Sequence, residues 1–278
     1  MNDHELTGVI DLHVHAGPDV RPRKMDALEL ARAARAAGMR AILFKNHHAP
    51  TVIAARLLEL AVPGLRVFGG LALNESVGGL NPPAVEAALK MGAAEIWLPT
   101  LDAAHERRFR GQGGGLSVLD ESRQLREAVR IILQLIAEGD CILGLGHLSF
   151  DEMKAVALEA RSLGVNRILV NHPEINFLNL PIAAQRELAA PGVYFERCYV
   201  RANQAVSWDG LAQVIRAVGV ESSILATDLG QPDNVDPIAG MKRMIAELSL
   251  RGFTRDELTT MTKRNPASLL GLRWERNQ

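Results

Sequence analysis

Short apolar runs rich in β-branched residues alternate with longer segments whose apolar residues recur at helical spacing. The short runs predict eight strands, at residues 9–15, 39–47, 65–73, 95–99, 141–147, 167–172, 193–199 and 223–228. The longer segments predict helices at about residues 26–37, 51–60, 120–138, 181–190, 209–218 and 237–250, with others beginning near 81, 149 and 254.

Strands that alternate with helices predict parallel strands joined by right-handed crossovers. Eight such units between residues 9 and 228 are the number found in a (β/α)8 barrel. A doubly wound sheet is the alternative, but the chain has neither a G-x-G-x-x-G motif after the first strand nor a phosphate loop. We therefore expect an α/β fold, a single-domain TIM barrel over residues 1–278 that ends in C-terminal helices at 237–272.

The composition of the 278 residues excludes several classes of protein. Hydrophobic residues make up 47%, so the chain is too apolar to be disordered. The 31 basic and 32 acidic residues give a net charge of −1, whereas general nucleic-acid binding needs a basic surface. We expect a small-molecule substrate and no nucleic acid, and we leave assembly into a homo-oligomer open.

The sequence also carries no sign of export or membrane insertion. Residues 1–5 are polar, unlike a signal peptide, and no apolar run approaches the roughly 20 residues that span a bilayer. Cys141 and Cys198 lie in separate apolar runs and cannot form a disulfide framework. A cytoplasmic protein without membrane contact is the simplest expectation.

Histidines concentrate where the predicted strands end, which is where TIM barrels carry their chemistry. Six of the eight histidines lie there, and so does an aspartate at the end of strand eight: His13, His15, His47, His48, His147, His172 and Asp228. His13 and His15 are two residues apart, so they face the same side of strand one and can bind one metal ion together. Such a pair also arises by chance on solvated strands, but its recurrence on later strands favours a site.

This ordered set resembles the amidohydrolase superfamily of metal-dependent TIM-barrel hydrolases. The resemblance is carried by Asp11-Leu12-His13-Val14-His15, Gly146-His147, Asn171-His172-Pro173 and Ala226-Thr227-Asp228. Residues 265–272 also resemble the closing helix of the phosphotriesterase and TatD-like branches. The resemblance implies that His13 and His15 bind a divalent metal ion, that His147 and His172 are ligands or contacts, and that Asp228 is a catalytic ligand. His47, at the end of strand two, is a further candidate ligand.

One position departs from the superfamily pattern. Binuclear members usually carry a bridging lysine or glutamate at the end of strand four, but here residues 96–100 read Ile-Trp-Leu-Pro-Thr. A mononuclear site is therefore favoured over a binuclear one. Nitrogen and oxygen ligands suit Zn²⁺, with Mn²⁺ and Fe²⁺ as alternatives.

Cationic residues near the strand ends are candidates for substrate contacts. Lys45 shares one side of strand two with His47, and four arginines follow strand ends or lie in the long loop at residues 101–118, namely Arg21, Arg23, Arg107 and Arg201. Guanidinium groups favour carboxylates and phosphates, so an anionic substrate is expected. The glycine-rich loop suits a mobile lid, an oligomer contact or a plain insertion.

These observations predict a metal-dependent hydrolase acting on a small amide, cyclic amide or lactone. Asp228 would accept the proton of the attacking water, and His172 or Lys45 would polarise the scissile group. The alternatives are a mononuclear decarboxylase or lyase, a PHP- or TatD-like phosphoesterase, and a non-enzymatic degenerate barrel. Release of CO2 would distinguish a decarboxylase from a hydrolase.

Overall fold

The computed structural model describes residues 6–190 and 192–273. Eight parallel strands form one sheet in the order β1 to β8. They are β1 Ile10–Val14, β2 Ala41–Phe44, β3 Arg66–Ala72, β4 Glu95–Trp97, β5 Ile142–Gly144, β6 Ile168–Val170, β7 Val193–Arg197 and β8 Ser223–Leu225. Just beyond β8 the ring closes, since Asp228 N donates to His13 O and His15 N donates to Leu229 O, both at 2.8 Å. The predicted (β/α)8 barrel is confirmed.

Helices follow the strands and pack on their outer face. They are α1 Ala27–Ala36, α2 Val52–Ala61, α3 Pro82–Lys90, α4 Ala104–Phe109, α5 Glu127–Glu138, α6 Phe150–Ser162, α7 Ile182–Leu188, α8 Trp208–Val218, α9 Pro237–Leu250, α10 Arg255–Thr259 and α11 Asn265–Leu269. A π-helical turn, Thr260–Arg264, joins the last two, and 3₁₀ turns lie at Glu75–Val77 and Val220–Ser222. The C-terminal helices thus agree with the prediction for residues 237–272.

Two expectations about the segment after β4 were wrong. The loop at residues 101–118 contains the short helix α4, and α5 begins at Glu127 rather than at Asp120. The reason is a local turn, in which Asp120 N donates to Gln124 O and Gln124 N donates back to the Asp120 carboxylate. Both hydrogen bonds compete with a helical start.

Apolar side chains make up much of the barrel interior, together with buried polar side chains such as Glu95 and Asn171. The interior cluster contains Leu12, Leu43, Trp97 and Leu169, and Leu269 from α11 packs against it from the opposite end. Within the described residues, no helix is long and apolar enough to cross a membrane. His4 and the rest of residues 1–5, on which the absence of a signal peptide was argued, lie outside the described residues.

Candidate active site

Three potential metal-binding atoms meet where β1 and β8 come together. His13 Nε2 lies 3.1 Å from His15 Nε2 and 3.2 Å from Asp228 Oδ1, and His15 Nε2 lies 3.3 Å from the same oxygen. The Zn–ligand distance of about 2.0–2.1 Å places two tetrahedral ligand atoms about 3.3 Å apart. The three atoms therefore already have the spacing of three corners of a tetrahedral site.

Hydrogen bonds on the far side of each ring determine which nitrogen carries the proton. His13 Nδ1 donates to Glu196 Oε1 at 2.7 Å, and His15 Nδ1 donates to the backbone carbonyl of Lys45 at 3.0 Å. Because a carbonyl oxygen can only accept, the neutral His15 ring has its lone pair on Nε2. Burial lowers the pKa of His15 to about 3, so this ring is neutral. Two nitrogen lone pairs and a carboxylate oxygen thus face one another, an arrangement that a cation would stabilise.

Asp228 is held in place from the side opposite the histidines. Arg201 contacts both its carboxylate and its backbone carbonyl. Burial by itself would raise the pKa of Asp228, but the charge of Arg201 and the contacts with His13 and His15 hold it well below the usual value. Asp228 is therefore ionised, as a metal ligand must be.

The backbone is strained at two of the strand ends. Asp228 has φ of +49° and His172 has φ of +30°, a region that non-glycine residues rarely adopt. Such strain is concentrated at functional sites, where the surrounding structure holds a side chain in one orientation. Asp228 and His172 both line the same cavity, whereas the other non-glycine residues with positive φ, Arg123, Asp140 and Asn179, do not.

The remaining strand-end histidines lie on the wall beside the three ligand atoms. The ring centroids of His172 and His13 are 5.9 Å apart, and those of His147 and His172 are 4.8 Å apart. Burial lowers the pKa values of His47, His147 and His172, so these rings are neutral as well. Among the described residues, the compact ligand group contains His13, His15 and Asp228 without them. Metal binding by His47, His147 and His172 stays a prediction.

A second compact group, His13, Glu196 and Cys198, is a poorer candidate for a metal. Burial raises the pKa of the Cys198 thiol well above its usual value, and Glu196 is already hydrogen bonded to His13. The thiol therefore stays protonated, whereas a thiolate is the form that binds metals.

Lys45 does not line the cavity that opens above the ligand atoms. Its side chain is fully buried, its Nζ has no hydrogen-bond partner, and that nitrogen lies 5.1 Å from the centre of the Trp97 ring. Trp97 ends β4 and fills the space that Gly70 and Gly144 leave free. The catalytic role predicted for Lys45 stays a prediction.

A cavity of about 530 Å³ opens above the ligand atoms. It is lined by His13, His15, His47, His147, His172 and Asp228, by the apolar side chains of Leu101, Ile175 and Phe177, and by Arg21, Arg23, Arg110 and Arg201. A pocket of this size encloses a small molecule, with a few polar groups to orient it.

The four arginines predicted to bind substrate occupy different settings. Arg201 is engaged by Asp228, and Arg23 lies on the cavity wall paired with Asp19. Arg107 pairs with Asp102 and Glu75 and lies outside this cavity. Arg21 lines the cavity and, in the described part of the chain, forms no ion pair or side-chain hydrogen bond. Arg21 is thus the cation best placed to meet an anionic ligand.

Sequence reasoning missed Glu106, a fully buried carboxylate on α4. It contacts His147 Nδ1, and its other oxygen accepts from Arg110 Nε at 2.7 Å. Burial by itself would raise the pKa of Glu106, but His147 and Arg110 outweigh it and lower that pKa. The only signal in the sequence was the Glu106–Arg110 spacing of four residues, which is common on solvated helices.

Comparisons with known proteins agree with this fold. The model of a family described as "Family of unknown function (DUF6282)" matches residues 8–196. No curated protein matches the chain significantly. Among solved structures, an amidohydrolase from Pseudomonas aeruginosa is 12% identical with a TM-score of 0.68, and the match covers 95% of both chains.

Two further solved structures show how much chemistry this fold accommodates. An organophosphorus hydrolase from Deinococcus radiodurans is 16% identical with a TM-score of 0.63, over 98% of this chain and 94% of that one. A 2,6-dihydroxybenzoate decarboxylase is 13% identical with a TM-score of 0.57, over 96% and 100%. At these identities the likeness concerns the fold, and the resemblance to amidohydrolase barrels is confirmed at that level.

Proposed function

Because the chain belongs to the DUF6282 family, whose description names no reaction, we propose from the geometry of its strand ends that it is a metal-dependent hydrolase. The observation that carries this proposal is the convergence of His13 Nε2, His15 Nε2 and Asp228 Oδ1 within 3.3 Å of one another. Three fixed, electron-rich atoms at the mouth of a barrel cavity suit a catalytic metal site that leaves a position open to substrate. The amidohydrolase and organophosphorus hydrolase on the same fold agree with this class of reaction.

His13, His15 and Asp228 would hold the divalent ion, with Zn²⁺ as the favoured identity and one ion per chain as the favoured stoichiometry. Such an ion supplies Lewis acidity, which lowers the pKa of water and polarises a carbonyl group. The end of β4 supports the mononuclear arrangement, because β4 ends in Trp97, whose indole offers neither the carboxylate nor the amine of a bridging ligand.

The residues around the ligand atoms have distinct tasks in hydrolysis. The Asp228 carboxylate, kept ionised by Arg201, would accept the proton of the attacking water. The His172 ring, neutral and 5.9 Å from the His13 ring, is placed to contact the scissile group. Glu196 holds His13 in the tautomer that leaves Nε2 free.

The cavity supports a small, anionic carboxylic-acid derivative as substrate. Arg21 offers a free guanidinium at the wall, while Leu101, Ile175 and Phe177 accommodate an apolar body. Hydrolysis of an amide, cyclic amide or lactone would place the scissile bond at the ligand atoms and a carboxylate at Arg21.

Metal analysis of purified protein, reconstituted with Zn²⁺ and then dialysed, tests the proposal. We expect about one ion per chain in the wild type and a large loss in His13→Ala, together with loss of hydrolysis across a panel of carboxylate-bearing amides and lactones. His48→Ala is the matched control, because His48 follows β2 at the same end of the barrel but does not line the cavity. A wild type without metal, or equal metal content in His13→Ala, would refute the proposal.

A lyase reaction is the second candidate, favoured by the same occupation of the end of β4 by Trp97. The fold is shared with a decarboxylase, and a metal site beside arginines can hold a carboxylated substrate while a C–C bond breaks. If an aromatic carboxylate releases CO2 and no member of the panel is hydrolysed, the lyase reaction replaces hydrolysis as the proposed function.

A further inference from the structure

We propose that a second cleft beside the cavity binds a further anionic group of the substrate, a carboxylate or a phosphate, so that the protein takes a substrate with two separated negative charges. This inference rests on the proposed function and narrows its substrate class. Arg107 and Arg110 would bind the second anionic group, and Arg21 stands between the two spaces.

The first step is the continuity of the two spaces. The second cleft has a volume of about 410 Å³. It shares Arg21, Leu101 and Arg110 with the cavity above the ligand atoms. The shared residues make the cleft a lateral extension of the cavity, so one elongated molecule can occupy both.

The second step is the charge of the cleft. Its lining carries three guanidinium groups, those of Arg21, Arg107 and Arg110, and one carboxylate, that of Asp102. Both oxygens of this carboxylate are engaged. Asp102 Oδ1 accepts from Arg107 Nη2 at 2.6 Å, and Oδ2 accepts from the backbone N–H of Glu75 at 2.9 Å. Asp102 therefore orients Arg107, and the excess of cations favours an incoming anion.

The third step is the supply of hydrogen-bond donors. A guanidinium group has five N–H donors. Arg107 directs only Nη2 to Asp102 and Glu75, which leaves Nε and Nη1 without an acceptor among the described residues. Arg110 directs Nε and Nη2 to Glu106, which leaves Nη1 in the same condition. Each arginine is thus oriented by a carboxylate and keeps N–H groups for a ligand, and such charged donors suit a carboxylate or a phosphate.

The glycine-rich part of the segment at residues 101–118 holds Arg107 from the other side. Gly115 has φ of +98°, and a Cβ there would lie 3.0 Å from Arg107 Cδ and 2.8 Å from Ala104 Cα. Gln112 N donates to Arg107 O at 2.8 Å, and Gln112 also lines the cleft. The absence of a side chain at Gly115 therefore lets the segment pack against the stem of Arg107 and form one wall of the cleft.

Calorimetric titration of the Zn²⁺-reconstituted protein with paired aliphatic acids tests the inference and requires no turnover. The dicarboxylates from succinate to suberate are compared with the monocarboxylates of equal chain length, from butyrate to octanoate. Only a dicarboxylate of sufficient length can place one acid group in the cavity and the other in the cleft. We expect the best dicarboxylate to bind at least about tenfold more tightly than its partner, the contribution of one charge-assisted hydrogen bond.

A third set of probes identifies the anionic group. In these molecules a phosphonate replaces one carboxylate of the best dicarboxylate. Tighter binding than that of the dicarboxylate indicates a phosphate-bearing substrate, and weaker binding indicates a dicarboxylic one. Either order, with both acids bound more tightly than the monocarboxylate, supports an anion in the cleft.

Variants on α4 separate a specific contact from a general effect of charge. Arg107→Met should abolish the preference for the dicarboxylate and leave the affinity for the monocarboxylate unchanged. Arg107→Lys keeps the charge without the planar fork and should retain part of the preference. Arg108→Met is the matched control, because Arg108 is exposed on the same helix and lines neither the cavity nor the cleft, and its preference should equal that of the wild type.

Three results would overturn the inference. The first is a wild type that binds both acids of every pair equally, and the second is the same loss of preference in Arg107→Met and Arg108→Met. The third is an Arg107→Met protein with equally weakened affinity for both acids, which would give Arg107 a structural role only. The proposed function fails separately, since a protein that takes up no Zn²⁺ and hydrolyses nothing, yet prefers dicarboxylates, would refute the hydrolase and keep the anion-binding cleft.

Discussion

Replacement of Glu196 by glutamine should weaken metal binding without unfolding the barrel. Glu196 is fully buried, and its Oε1 lies 2.7 Å from His13 Nδ1. Burial by itself would raise the pKa of Glu196, but the contact with His13 lowers it to about 2, so the side chain is an ionised acceptor. A glutamine amide can instead donate to Nδ1, which moves the ring proton to Nε2 and removes the lone pair that a metal needs.

The expected loss follows from the position of Glu196 behind the ligand. Loss of a group that orients a metal-binding histidine costs about 10–100-fold in affinity. At about 1.4 kcal/mol per tenfold change, this corresponds to roughly 1.4–2.8 kcal/mol. The loss of metal affinity should be smaller than in His13→Ala, because all three ligand residues remain present. Asn171 Nδ2, which donates to Glu196 Oε2 at 3.0 Å, can still donate to the glutamine oxygen.

Competition with a chromogenic chelator at neutral pH measures the dissociation constant of Zn²⁺. Glu152→Gln is the matched control, since Glu152 is a buried carboxylate that caps α6 with Ser149, and its affinity should equal that of the wild type. A folded Glu196→Gln protein with wild-type affinity would refute the assignment of His13 as a ligand oriented by Glu196.

Three further predictions concern the substrate, acid stability and the packing under the site. In steady-state kinetics, Arg21→Met should raise KM for a carboxylate-bearing substrate about tenfold, because one charge-assisted hydrogen bond is lost. The KM for an uncharged analogue should not change. The pKa of His15 is about 3 in the fold against 6.5 ordinarily, so the unfolded chain binds the extra proton between these values. The metal-free protein should therefore lose stability as the pH falls from 6.5 towards 3, and a denaturation midpoint that stays constant there would contradict this. Gly144→Ala should lower the free energy of unfolding by about 1–3 kcal/mol, because its Cβ would lie 2.5 Å from both Glu95 Oε1 and Trp97 Cδ1. Gly113→Ala is the control, because no atom lies within 4 Å of its Cβ position, and it should leave thermal denaturation unchanged.

The sequence predicted the strands better than the segments between them. Strands β2 and β6 are runs of apolar residues buried on both faces, and such runs are visible without knowledge of their neighbours. The start of α5 and the helix α4 were missed, since both depend on turns and on contacts with distant loops. Asp120 and Gln124, for example, carry residue types that fit a helix as well as the turn they form.

The alternating apolar runs were enough to predict the barrel and to put a set of side chains at one end of it, namely His13, His15, His147, His172 and Asp228. Parallel strands of a barrel all end on the same side, so position along the chain is sufficient for that conclusion. Which atoms can act together depends on contacts between residues far apart in the chain. Glu196 is 183 residues from His13, and Glu106 is 41 residues from His147, yet each determines where the proton of its histidine lies. These pairings depend on barrel closure and on the docking of α4, and neither leaves a periodic signal in the sequence.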